Sequence, residues 1–298
     1  MPSSPSPLTP SLMRQLEAFS LTTRRAYRGM RAGTHRSLKR GVGLEFSDYR
    51  QYELGDNPRH IDWGVYARSE RLYVKQFHEE ENLSVLIVLD PSGSMTVDRS
   101  KWEFAKLFAL SIAYIALTNQ DTVRLSILGY GPGPRFNGAR SIHEAVRFLQ
   151  EFDTTPQKTL PKKAATRSLQ HAVSTMRFPG LALFISDFLF DLDLTTDLTN
   201  TFTSRNLETH FIQVLGEQDL NPLPLNDSAS VLDSETGSEI DIDLSPSSRD
   251  RYMEFLNLHQ TDLRKLCASR QISHTLVNLK DPIDSFLFPA LSQTQFIQ

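Results

Sequence analysis

The run Leu83-Ser84-Val85-Leu86-Ile87-Val88-Leu89 constrains this chain more than any other segment, because it is almost continuously apolar and stops at a carboxylate, Asp90. A strand with one wet face alternates apolar and polar residues. A run without alternation must be covered on both faces, as in a parallel sheet held between helices. The next segment agrees. Ser100 and Glu103 have the spacing of a capping box, which predicts a helix from there to about residue 117. Phe104, Leu107, Phe108, Ile112 and Ile115 make that helix apolar nearly all round, so it too is expected to be buried.

The rhythm then repeats. Strands are expected at 123–128, 181–186, 209–215 and 275–279, and helices near 140–152, 161–177, 193–205 and 282–291. Tyr252, Phe255, His259, Leu263 and Leu266 line one face of a further long helix, and 230–232 with 239–244 suggest an acidic hairpin. Alternating strands and helices imply an α/β fold with a mainly parallel sheet, helices on both faces and right-handed crossovers. The expected division is a disordered Pro/Ser-rich stretch at 1–10, an N-terminal extension at 11–80 and the α/β domain at 81–298. The extension should hold a basic amphipathic helix from 12 to about 30 and a strand at 72–77.

Composition excludes several classes. The net charge of −3 gives no general case for nucleic acid. Residues 1–40 differ, with eight Lys or Arg against one acid, Glu17. This basic arm, around Arg24, Arg25, Arg28 and Arg31, suits nucleic acid, an anionic membrane surface, or the chain's own acidic half. The one cysteine, Cys267, cannot form a disulfide within the chain and is expected to pack in a helix, which fits a reducing, cytoplasmic setting. No signal-peptide pattern opens the sequence, and the uncharged stretch 107–120 is too short to span a bilayer, so no transmembrane segment is expected.

In open parallel sheets, ligands sit beyond the carboxyl ends of the strands where the strand order reverses. At the end of the first strand stand Asp90-Pro91-Ser92-Gly93-Ser94. Asp90, Ser92 and Ser94 alternate, so their side chains can share one side of a tight loop, with Gly93 permitting the turn. One carboxylate and two hydroxyls are hard donors suited to Mg²⁺, with Mn²⁺ or Ca²⁺ as alternatives, rather than Zn²⁺. Strand 181–186 ends in Asp187, which lies beside this loop if the two strands are neighbours. Thr159, or its rivals Thr154 and Thr155, offers a hydroxyl near the start of a helix. The competing reading is a plain turn or helix cap, its hydroxyls spent on backbone N–H groups. Among enzymes, a Mg-dependent phosphatase of the haloacid dehalogenase type is the nearest comparison, but those resemble Asp-x-Asp and position 92 is Ser. There is no Walker-type phosphate loop, and His78-Glu79 lacks the second His of a zinc helix.

These residues resemble the metal-ion-dependent adhesion site (MIDAS) of von Willebrand factor A domains, whose Asp-x-Ser-x-Ser, Thr and Asp fall here on Asp90, Ser92, Ser94, Thr159 and Asp187. The Thr of that pattern usually follows Gly, whereas Lys158 precedes Thr159. The resemblance implies a cation that takes its last ligand from an acidic residue of a protein partner. A longer likeness begins upstream. Gly43-Leu44-Glu45-Phe46-Ser47-Asp48-Tyr49-Arg50, then Gly55-Asp56-Asn57-Pro58-Arg59-His60-Ile61-Asp62-Trp63, Ala67-Arg68 and Leu72-Tyr73-Val74-Lys75-Gln76-Phe77 resemble the bacterial "domain of unknown function 58" family. That likeness, over about 35–290, implies a non-enzymatic adaptor working with a MoxR-type AAA+ ATPase in assembly or maturation of client proteins. Asp56, Arg59, Asp62 and Arg68 are expected to form a charge network fixing the extension to the domain, with Trp63 packed beneath, or else a docking surface.

Overall fold

The computed structural model describes residues 7–23, 45–54, 56, 58, 61–78, 82–152, 161–177, 180–205, 207–220, 229–232, 239–242, 246–279, 284–294 and 296–297. The chain divides into two compact units, residues 36–82 and residues 1–35 with 83–298. After helix α1 (Pro10–Leu16), the smaller unit holds β1 (Glu45–Gln51), α2 (Trp63–Ser69) and β2 (Tyr73–His78). The larger unit continues with β3 (Ser84–Leu89), α3 (Gly93–Val97), α4 (Arg99–Thr118), β4 (Thr122–Ile127), β5 (Arg135–Asn137), α5 (Ile142–Glu151) and α6 (Lys162–Ser174). It then has β6 (Gly180–Ser186), α7 (Leu192–Thr203), β7 (Glu208–Gly216), α8 (Glu217–Leu220), β8 (Ala229–Leu232), β9 (Glu239–Ile242), α9 (Pro246–Ser269), β10 (Ser273–Leu279) and α10 (Asp284–Gln293).

The main sheet has the order β10-β7-β6-β3-β4-β5, and only its edge strand β5 runs antiparallel. The α/β architecture expected from the apolar runs is therefore present. All six residues of β3 are buried, and their alternation feeds two cores. Val85, Ile87 and Leu89 face a cluster containing α4, α5 and α10, while Leu86 and Val88 face one built from α6, α7 and α9. The chain goes from β3 to β4 on one side and later returns to β6 on the other, so the strand order reverses between β3 and β6. A smaller antiparallel pair, β8–β9, forms the expected acidic hairpin.

Helix α4 is buried all round because it has two covers. One face lies on the sheet; residues 8–21 cover the other, with Leu8, Leu16 and Leu21 in the same core. The Tyr114 hydroxyl donates to Glu17 Oε1 at 3.0 Å and Asn119 Nδ2 to the Phe19 carbonyl at 3.3 Å. The expected extent of the extension, 11–80, is thus corrected at its start: α1 belongs with the α/β domain, since it seals an apolar helix face that water would otherwise wet. Disorder through residue 10 is corrected as well, because Thr9 caps a helix that begins at Pro10. That helix ends at Leu16 rather than near 30, and Arg24, Arg25, Arg28 and Arg31 lie outside the described residues. At the start of α4 the cap is Asp98, which accepts from Ser100 N at 2.9 Å, instead of the expected Ser100. A carboxylate is the stronger acceptor for the exposed N–H groups and for the positive helix end. Among the described residues no helix is long and apolar enough to cross a membrane.

At the other end of the sheet, Asp121 accepts the Leu83 N–H at 2.8 Å and joins the starts of β3 and β4. Burial raises its carboxyl to about 7, against the lowering effect of that hydrogen bond. A folded-state value above the unfolded one makes stability fall as pH rises from about 4 to about 7. Asp121→Asn keeps an acceptor for Leu83 and loses the ionisation. Urea unfolding at pH 5 and pH 8 should show a smaller pH dependence in the variant, by on the order of a few kcal/mol; equal pH dependence in the two proteins would contradict this reading.

Candidate functional site

Asp90 follows β3 and Asp187 follows β6, and parallel pairing of Leu89 with Ile185 brings the two strand ends side by side. Both are completely buried, at 0% exposure. Asp90 is tied to both strands: its N–H donates to the Ile185 carbonyl at 3.0 Å, its Oδ1 accepts from Ser92 N at 2.9 Å, and its Oδ2 accepts the Ser186 hydroxyl at 2.6 Å. Burial and then the neighbouring charge of Asp187 push the Asp90 carboxyl up to about 7, while the bonds from Ser186 and Ser92 act against that rise. Two desolvated carboxylates so placed repel each other and attract a cation.

The serine hydroxyls bear on the two readings of the loop. Ser92 occupies the N-cap position of α3 but makes no side-chain cap bond. Its Oγ instead lies 3.2 Å from Ser94 Oγ. Asp90, Ser92 and Ser94 thus bring a carboxylate and two hydroxyls together, as the alternation predicts, and a carboxylate oxygen holding one N–H still has a lone pair to offer. The expected part for Gly93 is corrected. Gly93 opens α3 and does not take a left-handed turn, so the loop leads straight into a short helix.

Asp187 is held from three directions. Its Oδ1 accepts from Leu189 N at 3.1 Å, its carbonyl accepts from Gln213 Nε2 at 3.0 Å, and its Oδ2 pairs with Lys101 Nζ at 3.0 Å. Lys101, on α4, is only 2% exposed and also pairs with Asp219 Oδ2 at 2.9 Å. Burial works against its charge, but Asp187 and Asp219 outweigh that and hold Lys101 above its ordinary value. Asp219 also accepts from Gly216 N at 2.9 Å, and its carbonyl takes the Tyr252 hydroxyl at 3.0 Å. The turn after Asp187 passes through Phe188, a buried residue with φ of 56°, a left-handed conformation that costs a non-glycine residue on the order of 1–2 kcal/mol. The Phe188 ring stacks on Phe211 at 4.9 Å, and its N–H and carbonyl bond Ser186 Oγ and His259 Nε2, so packing holds the turn in place.

Sequence reasoning named Asp90, Ser92, Ser94 and Asp187, which meet here, and Thr159, Thr154 and Thr155, which lie outside the described residues. It missed Lys101, Ser186 and Asp219. Lys101 sits in the polar first turns of α4 beside Arg99, Ser100, Glu103 and Lys106, where nothing local marks it as buried; Ser186 is an ordinary polar residue at the end of β6 and Asp219 one in the short helix α8. Among the described residues, no three His, Cys, Asp or Glu side chains cluster as metal ligands, so the donor set rests on two carboxylates and hydroxyls.

In the smaller unit, the described residues named for the charge network take part in caps, turns and an ion pair. Asp62 caps α2, accepting from Gly64 and Val65 N–H groups and from the Tyr49 hydroxyl at 2.9 Å. Asp56 accepts from Arg50 Nη2 at 2.6 Å, and Arg68 Nε donates to the Gly64 carbonyl at 3.1 Å. Arg59 lies outside the described residues. Trp63, expected to be packed, is 62% exposed and meets Tyr66 edge-on at 6.0 Å. As the first residue of a short helix with no buried position, it has no core to enter.

A family model described as "Protein of unknown function DUF58" matches residues 48–262. Uncharacterised proteins of Mycobacterium bovis and Mycobacterium tuberculosis are each 27% identical to this chain over 270 residues, covering 86% of it and 81% of the relative. Two solved structures align with 71% of this chain and 98% of their own. One is an aerotolerance-related membrane protein from Bacteroides fragilis, with 17% identity and a TM-score of 0.43. The other is the conserved hypothetical protein BatB from Bacteroides thetaiotaomicron, with 12% identity and a TM-score of 0.39.

Ser186 bridges Asp90 Oδ2 and Phe188 N, so Ser186→Ala leaves a buried acceptor and a buried donor unmatched. Chemical denaturation should show a loss of about 1–3 kcal/mol. A change below about 0.5 kcal/mol, the range of ordinary surface substitutions, would show that this bridge does not organise the site.

Proposed function

The chain belongs to the DUF58 family, and we propose that it is a non-enzymatic, metal-dependent protein-binding adaptor whose Asp90 loop holds a divalent cation. The observation that carries this reading is the fully buried Asp90 carboxylate, with the Ser92 and Ser94 hydroxyls 3.2 Å apart on its loop and the buried Asp187 on the neighbouring strand end. Oxygen donors of this kind suit Mg²⁺ first, with Mn²⁺ and Ca²⁺ as alternatives. Asp90, Ser92 and Ser94 would hold the ion and Asp187 would add charge, with Thr159 joining them on the strength of the MIDAS resemblance. A second positive centre also offsets the mutual repulsion of two desolvated carboxylates.

Mg²⁺ takes six oxygen ligands, and the donors named here leave room for another. Bound in this loop, the cation supplies a positive centre open to a carboxylate from another protein. The family resemblance suggests a MoxR-type AAA+ ATPase and its client as the partners. The side chains of this chain do the remaining work: Ser186 and Ser92 orient Asp90, and Gln213 and Leu189 fix Asp187.

Asp90→Ala should weaken Mn²⁺ binding, measured by calorimetry, at least about tenfold while the far-ultraviolet circular dichroism stays that of the folded protein. Capture of a purified MoxR-type ATPase should require Mg²⁺ and fail both with chelator and with Asp90→Ala. Metal uptake unaffected by Asp90→Ala contradicts the metal site, and capture indifferent to chelator contradicts the adaptor role.

A further inference from the structure

Lys101 has no task in the adaptor reading, yet it is among the most deeply buried charged side chains of the domain. Its ammonium lies 3.0 Å from Asp187 and 2.9 Å from Asp219, in a helix whose other inward positions are mostly apolar. An ammonium ion in such a place is costly to desolvate, and well-packed apolar residues often serve stability as well or better. The position therefore calls for a reason beyond packing. Its geometry supplies one, because Lys101 holds the Asp187 oxygen Oδ2 while Oδ1 is held by the Leu189 N–H.

We propose that Lys101 is a tethered counter-cation that competes with the divalent metal ion for Asp187 and so sets the metal affinity of the Asp90 site. This inference rests on the metal-binding reading and names how that site is regulated. Asp187 and Asp219 share the one ammonium of Lys101, while the Asp90 carboxyl beside Asp187 is held by hydroxyl and N–H donors, so negative charge remains for a divalent ion to balance. Lys101 neutralises Asp187 before any metal arrives, and once a metal ion is present the two cations repel across a poorly screened interior. Asp219 gives the ammonium a second, anchored partner. Its Oδ2 also accepts the Gly216 N–H, and its carbonyl accepts the Tyr252 hydroxyl. Lys101 therefore stays paired when Asp187 turns its charge to the metal.

A merely structural lysine and a competing one differ in the sign of their effect on metal binding. Loss of a structural lysine leaves the affinity unchanged or weakens it by loosening Asp187, whereas loss of a competitor tightens it. Lys101→Met keeps the length of the side chain and removes the charge. Mn²⁺ titration of the full chain, read by the electron paramagnetic resonance signal of free Mn²⁺, should show Lys101→Met binding about tenfold or more tightly than wild type. The Mn²⁺-induced rise in thermal midpoint should also be larger in Lys101→Met. Should that variant fail to fold, Asp219→Asn reads the same competition in reverse: Lys101 then has Asp187 as its charged partner, and Mn²⁺ affinity should fall at least about threefold. A wild type that takes up no Mn²⁺, or an Asp90→Ala variant that takes it up equally, overturns the metal reading and this inference with it. An Asp90-dependent site that Lys101→Met leaves unchanged or weakens, or that Asp219→Asn leaves unchanged or strengthens, overturns the role of Lys101 alone.

Discussion

Two carboxylates without solvent exposure end neighbouring parallel strands, and the cost of holding them there shapes everything around them. An isolated buried carboxylate would be neutralised or expelled. Here Asp90 is kept by a short bond from Ser186 and by the Ser92 N–H, and Asp187 by Leu189, Gln213 and the ammonium of Lys101. The left-handed Phe188 and its aromatic neighbours fix the turn that carries Asp187. Strained backbone and buried charge both work against folding, and here they occur within a few residues of each other at one end of the sheet.

The sheet makes the meeting possible. Because strand order reverses between β3 and β6, the connections that leave their carboxyl ends run to opposite sides of the sheet. Helix α4 starts beside these ends, capped by Asp98, and one turn later it delivers Lys101 beneath Asp187. The end of β7 comes equally close, since a Cβ at Gly216 would run into the Asp98 carboxylate. Glycine at 216 leaves room for the Asp98 carboxylate, and Asp219 pairs with Lys101 just beyond it. The segment at 8–21 belongs to the same economy of burial: it covers the face of α4 near Tyr114 and Asn119, which allows the helix to be apolar on that side as well as against the sheet.

Much of this was legible in the sequence where local pattern and tertiary demand coincide. Continuous apolar runs mark β3 and β6 as buried strands, while the pairing that sets Asp90 beside Asp187 comes from the sheet itself. The α9 helix and the β8–β9 hairpin also follow from periodicity and turn residues. What the sequence did not disclose depends on partners distant along the chain. Lys101 finds its charges 86 and 118 residues away, and no local pattern encodes that pairing. Ser100 looks like a cap until the competing Asp98 is placed two residues before it. The burial of α1 depends on an apolar helix face about a hundred residues later, and Trp63 looks like a core residue only because large aromatics usually find cover.

The central claim is that the buried Asp90 loop is a cation site, and anomalous scattering from a crystal grown with saturating Mn²⁺ tests it most directly. A cation site there gives a single strong anomalous peak in coordination contact with the Asp90 carboxylate and the Ser92 and Ser94 hydroxyls, on the side facing Asp187. A well-ordered crystal with no peak there, with Asp187 still paired only to Lys101, would contradict it.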